Sequence, residues 1–113
     1  LGLVGLGDVY KRQIYNTTYH VEASLAEAFI VWLRTDYIPA ALRREELSEP
    51  QLCRVMSESE DSGISFSLQF HVTDTGHLNR WYEECGFVLA EEMKRRFADR
   101  VVGFTTLLEV IDL

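Results

Sequence analysis

From Ile64 to Val72 the chain alternates without a break. Ile64, Phe66, Leu68, Phe70 and Val72 fall on one side of an extended strand, and Ser65, Ser67, Gln69 and His71 on the other. This pattern predicts a strand with a core against one face and polar surroundings on the other. Ile14 to Glu22 is rich in Tyr, Thr and Val and predicts a second strand. Its faces are Tyr15, Thr17, Tyr19 and Val21 against Asn16, Thr18, His20 and Glu22. Leu52 to Glu58 predicts a less regular strand, with Cys53 and Val55 opposite Arg54 and Met56. Val101 to Ile111 predicts a fourth, with Val102, Phe104, Thr106, Leu108 and Val110 opposite Gly103, Thr105, Leu107, Glu109 and Ile111.

Between the strands the apolar period lengthens. Ser24-Leu25-Ala26-Glu27 has the form of a capping box, and Leu25, Phe29, Trp32 and Leu33 follow at helical spacing. Pro39 should end or kink this helix, leaving Ala40 to Arg44 as one more turn and Glu45 to Gln51 as a loop. Ser59 to Gly63 reads as a hairpin turn. Asp74 is a good N-cap for a second helix with a stripe through Leu78, Trp81, Tyr82, Cys85, Leu89, Met93 and Phe97. Gly86 interrupts that stripe and predicts a bend.

The order is strand, helix, strand, strand, helix, strand. That is the split β-α-β pattern of an α+β, ferredoxin-like fold. With right-handed crossovers it predicts a four-stranded antiparallel sheet of order 4-1-3-2 with both helices on one face. The other face is left open. Its expected residues are Asn16, Thr18, His20, Arg54, Met56, Ser65, Ser67, Gln69, His71, Thr105, Leu107 and Glu109.

Composition sets bounds on what that face could do. The 113 residues are 47% hydrophobic and 26% charged, the length and make-up of one domain that needs no disulfide or metal to hold it. The formal net charge of −7 argues against phosphate backbones and anionic membranes as partners. No apolar run is long enough to span a bilayer. Cys53 and Cys85 are far apart and are read as reduced, half-buried thiols, which with the absence of a signal peptide points to the cytoplasm.

Leu1 to Gln13 stands apart. Gly5 and Gly7 begin a dinucleotide-type fingerprint, but no third glycine follows and no amphipathic helix opens. Back-translated, Gly5 to Gln13 resembles one arm of a transposase sequencing adapter read in frame. Residues 1–13 are therefore expected to lie outside the fold, with a single domain at 14–113 and a native start just upstream of Ile14.

Several landmarks coincide in the rest. Tyr15-Asn16 opens the first strand. Trp32-Leu33-Arg34 precedes Tyr37-Ile38-Pro39, and Leu52-Cys53-Arg54-Val55 precedes Ser65-Phe66-Ser67-Leu68-Gln69-Phe70. Arg96-Phe97 precedes the run from Val102 to Val110. Together they resemble an uncharacterised bacterial family, the domain-of-unknown-function family numbered 4286, over Ile14 to Leu113. The resemblance implies a small cytoplasmic protein and carries over no functional residues. Ala98 stands where that family's pattern suggests glycine. At fold level the order is also similar to the dimeric α/β-barrel proteins, among them small monooxygenases and ligand-sensing modules. There the open sheet faces of two subunits meet, which implies a homodimer.

Candidate chemistry is sparse. In this topology His20 and His71 lie at opposite edges and share no metal; His77 reads as a surface residue. His71 and Glu109 should flank Asn16, roughly 10 Å apart across two strand spacings. Asn16, Gln69, His71, Thr105 and Glu109 thus form the candidate open-face pocket, weighed against a solvated or dimer-facing polar surface, the default for an open antiparallel face. Trp32, Trp81, Tyr82 and Phe97 read as core aromatics, and Tyr37-Ile38-Pro39 as a helix end that could alternatively gate a pocket. No nucleophile motif, carboxylate pair, metal spacing or phosphate loop is present, so no cofactor is expected. The favoured reading is a homodimeric, non-enzymatic module that binds a small molecule or protein partner. A cofactor-independent enzyme of the dimeric-barrel monooxygenase type is the alternative.

Overall fold

The computed structural model describes residues 12–56 and 63–113. Four strands form one antiparallel sheet: β1 (Gln13–Glu22), β2 (Leu47–Arg54), β3 (Gly63–Val72) and β4 (Val101–Glu109). Their order is β2-β3-β1-β4, the expected 4-1-3-2 arrangement. The helices are α1, spanning 23–41, and α2, spanning 75–97, with a 3-10 turn at Ala98–Arg100 leading into β4. The predicted ferredoxin-like architecture is the one observed. Among the described residues no helix is long and apolar enough to cross a membrane.

Strand β3 keeps its alternation. Phe66, Leu68, Phe70 and Val72 are buried beneath the helices. Tyr19 and Val21 of β1 join them, with Phe29, Trp32 and Leu33 from α1 and Trp81 and Phe97 from α2. The rings lock edge to face: Tyr19 on Phe29 at 5.1 Å, Phe29 on Phe97 at 5.4 Å and Trp32 on Phe97 at 5.7 Å between centroids. The Trp81 indole N–H donates to the Ala41 carbonyl at 3.0 Å, tying α2 to the end of α1.

Each helix contains a π segment. In α1 it is Leu33–Tyr37, where the Ile38 amide reaches back five residues to the Leu33 carbonyl. In α2 it is Tyr82–Gly86, where the Phe87 amide does the same to Tyr82. The helix therefore does not stop at Pro39. The wider turn before it absorbs the missing amide, and helical structure continues through Ile38–Ala41. Gly86 has a packing reason: a Cβ there would collide with the Trp81 ring.

Some boundaries differ from expectation. The capping box of α1 does not form; the Ser24 hydroxyl donates instead to the Glu22 carboxylate at 3.4 Å, and a 3-10 turn opens the helix. Asp74 does cap α2, accepting from the His77 amide at 2.8 Å. Strand β2 lies earlier than Leu52 to Glu58, and runs through the segment read as a loop. Pro50 is tolerated because β2 is an edge strand with a register shift between Ser48 and Gln51, beside Glu49 at φ 50°. This also reverses the predicted faces of β2: Cys53 lies opposite Ser67 on the open face, and Arg54 opposite Phe66 on the helix side. Strand β1 begins at Gln13, one residue before the expected boundary, because ladder pairing uses only backbone groups. Residues 1–11, like the tip of the predicted hairpin turn at 57–62, lie outside the described residues.

Candidate functional site

The register of β4 decides the geometry. Tyr15, Thr17 and Tyr19 lie opposite Leu107, Thr105 and Gly103. Directly opposed residues of an antiparallel pair point the same way. Thr105, Leu107 and Glu109 therefore share the helix side with the β1 tyrosines. Val102, Phe104, Thr106 and Leu108 take the open face, opposite His20, Thr18, Asn16 and Ile14. The expected assignment of β4 is reversed. Its apolar alternation was matched to the helix side, but β4 turns that set outward, and a one-residue change of phase moves every side chain across the sheet.

The five residues of the sequence-based pocket accordingly separate. Asn16, Gln69 and His71 are on the open face; Thr105 and Glu109 are on the other. Asn16 is buried and bonded within the sheet. It accepts from the Ser67 hydroxyl at 2.5 Å and donates to Thr18 at 3.2 Å, and Gln69 donates to Ser67 at 3.5 Å. His20 and Ser65 are within hydrogen-bond distance at 3.1 Å. Part of the polar half of this face thus bonds within itself. His71 stands at the end of the sheet, with Nδ1 3.3 Å from the Glu49 carboxylate, beside a depression of about 170 Å³. The other half, on β4, is apolar and bare: Val102 is 54% and Phe104 65% exposed.

A larger hollow lies on the helix side, between β1, β4 and α2, with a volume of about 590 Å³. That size suits a small organic molecule. Its floor is a row of hydroxyls from Tyr15, Thr17, Tyr19 and Tyr37. Burial raises the pKa of all three phenols above the ordinary value, so they remain neutral donors at physiological pH. Leu78, Tyr82 and Met93 of α2 and Val101 and Thr105 of β4 form walls. The two π segments bear directly on this site, since Tyr37 ends one and Tyr82 begins the other. Tyr82, expected in the core, is 45% exposed at the cleft.

Sequence reasoning missed this cleft, although two signals pointed to it. Tyr15, Thr17 and Tyr19 place hydroxyls on the buried face of β1, where a solid core would carry aliphatic side chains. Gly103 sits opposite Tyr19, and a Cβ there would come within 2.8 Å of the tyrosine ring.

A family model described as "Domain of unknown function (DUF4286)" matches residues 12–111. The chain belongs to the DUF4286 family. No curated protein matches it. Among solved structures, DUF4286 here is similar to a dimeric ferredoxin-like protein from an uncultured marine organism, at 12% identity and TM-score 0.64, covering 91% of this chain and 98% of that one. It is similar to SnoaB, a cofactor-independent oxygenase from Streptomyces nogalater, at 17% identity and TM-score 0.62, covering 90% and 95%. It is also similar to the hydroxynitrile lyase of Passiflora edulis, at 11% identity and TM-score 0.63, covering 89% and 95%. At these identities the likeness establishes the fold.

Proposed function

We propose that this DUF4286 protein is a cytoplasmic homodimer joined through its open sheet faces, and that each subunit binds a small molecule in the cleft between β1, β4 and α2. The single observation that supports binding is the row of neutral, buried hydroxyls along an otherwise largely apolar hollow. Such a site fixes a ligand by shape and by a few hydrogen bonds. The dimer has separate support. The outward side of β4 carries Val102, Phe104 and Leu108, all exposed, beside a polar half whose groups already bond one another. The bonds within that half lower the cost of drying the face.

Asn16, Gln69 and His71 then belong to the seam rather than to a pocket, and Thr105 to the cleft. The dimeric ferredoxin-like protein among the similar structures is consistent with this arrangement. Sedimentation of the wild type should give a dimer, and Phe104→Glu a folded monomer. For the cleft, an NMR fragment screen should shift Thr17, Met93 and Thr105, and Gly103→Val, which drives Tyr19 into the hollow, should remove those responses.

A second reading, catalysis without a cofactor, is favoured by one observation. Buried phenols, neutral at physiological pH, can donate to an oxygen on which charge develops. Turnover of a bound ligand, lost in Tyr37→Phe with binding retained, would move the assignment from binder to enzyme.

A further inference from the structure

Among the described residues Lys94 is the only charged one on the walls of the cleft, in a chain whose formal net charge is −7. It makes no ion pair among the described residues, whereas its neighbours Arg95 and Arg96 both bond Glu92. The hydroxyl row supplies the complement. Tyr15, Thr17, Tyr19 and Tyr37 each bring an O–H to the cleft, where it can donate to an acceptor. Between these polar points the walls are Leu78, Ala90, Met93 and Val101.

We infer that the ligand of this cleft is a monoanion with an apolar body, of the arylcarboxylate class. Its ring packs against Met93 and Leu78, and its anionic end is reached by Lys94 and a hydroxyl of the cleft floor. An uncharged ligand would gain nothing from this cation, and a dianion would meet a single positive charge inside an acidic protein. A cation is excluded by Lys94 itself. The inference rests on the cleft being a ligand site, as proposed above.

The test uses 2-naphthoate and its uncharged counterpart 2-naphthamide, titrated into the full chain at low salt and followed by amide and methyl shifts of cleft residues. Naphthoate is expected to bind about tenfold tighter than the amide. Lys94→Gln should abolish that preference while leaving amide binding and the fold unchanged, and added salt should reduce it. Equal affinity for the two probes, or a preference that survives Lys94→Gln, overturns the ligand class and leaves the cleft standing. Failure of both probes to shift any cleft residue overturns the cleft itself, and the inference with it.

Discussion

The two halves of the helix-covered face are built differently. Over β3 the sheet is filled: Phe66, Leu68 and Phe70 are at most 4% exposed, beneath Phe29, Leu33 and Trp81. Over β4 it is hollow: beyond Val101 every residue of that strand is exposed, and the facing side of β1 offers hydroxyls. One half carries the packing that holds the domain together. The other keeps a shaped, polar-floored space beside it. Function in small domains needs such an asymmetry, because a site that must open to ligands cannot also be the densest part of the core.

The comparison fails if mutations in the two halves behave alike. The largest expected effect is in the packed half. Phe70→Ala should cost about 3–5 kcal/mol in urea unfolding, while Thr105→Val, facing the hollow, should change stability by less than about 1 kcal/mol. Next is Gly86→Ala. Its new methyl presses on Trp81, and the strain should outweigh the gain in helix propensity, for a net loss of about 1–2 kcal/mol. Ala98→Gly runs the other way. Ala98 is held at φ 52°, a conformation suited to glycine, just where the chain enters β4. The variant should gain about 1 kcal/mol in thermal unfolding and slow amide exchange along β4. Tyr37→Phe removes one hydroxyl from the cleft floor and should change stability by less than about 1 kcal/mol while leaving the packed half unchanged by NMR.

The smallest effect is a control that acts on both halves at once. Asp74 caps α2, and its bonds to the His77 side chain and amide hold its carboxyl below the usual range. A lowered folded pKa means that this stabilisation is present above the unfolded value, near 4, and is lost as pH falls through the folded one. Unfolding measured between pH 6 and pH 3 should show that loss in the wild type, and a smaller one in Asp74→Asn.

Much of the fold was legible in the chain. The period-2 run of β3, the Asp74 cap and the alternation of strands with helical stripes gave the order of elements and, with right-handed crossovers, the sheet. The family was legible in spaced landmarks such as Tyr37-Ile38-Pro39. The candidate site was not. Val101 to Ile111 alternates almost equally well in either phase, and only its register against β1 settles which side faces the helices. Edge strand β2 was displaced because Pro50 reads as a breaker in sequence, whereas at a sheet edge its missing amide costs little. Tyr82 was placed in the core because one helical period was run through Trp81, Tyr82 and Cys85, across a stretch with a wider turn.

That wider turn sets an angular offset between the halves of each helix. A π turn holds one residue more than an α turn, so everything after it is rotated by about 100° from where a continuous α-helix would carry it. Loss of a single residue from 33–37, Asp36 for instance, would let α1 close as a regular helix. The Ile38 amide would then reach Leu33 across an ordinary α turn, so Phe29 and Trp32 would stay where they are and Tyr37 would keep its place on the cleft floor. Length changes within these helices therefore differ by place: a single-residue loss inside a π segment keeps the orientation of the site, and the same loss in the α-helical stretch before it aims its tyrosines elsewhere.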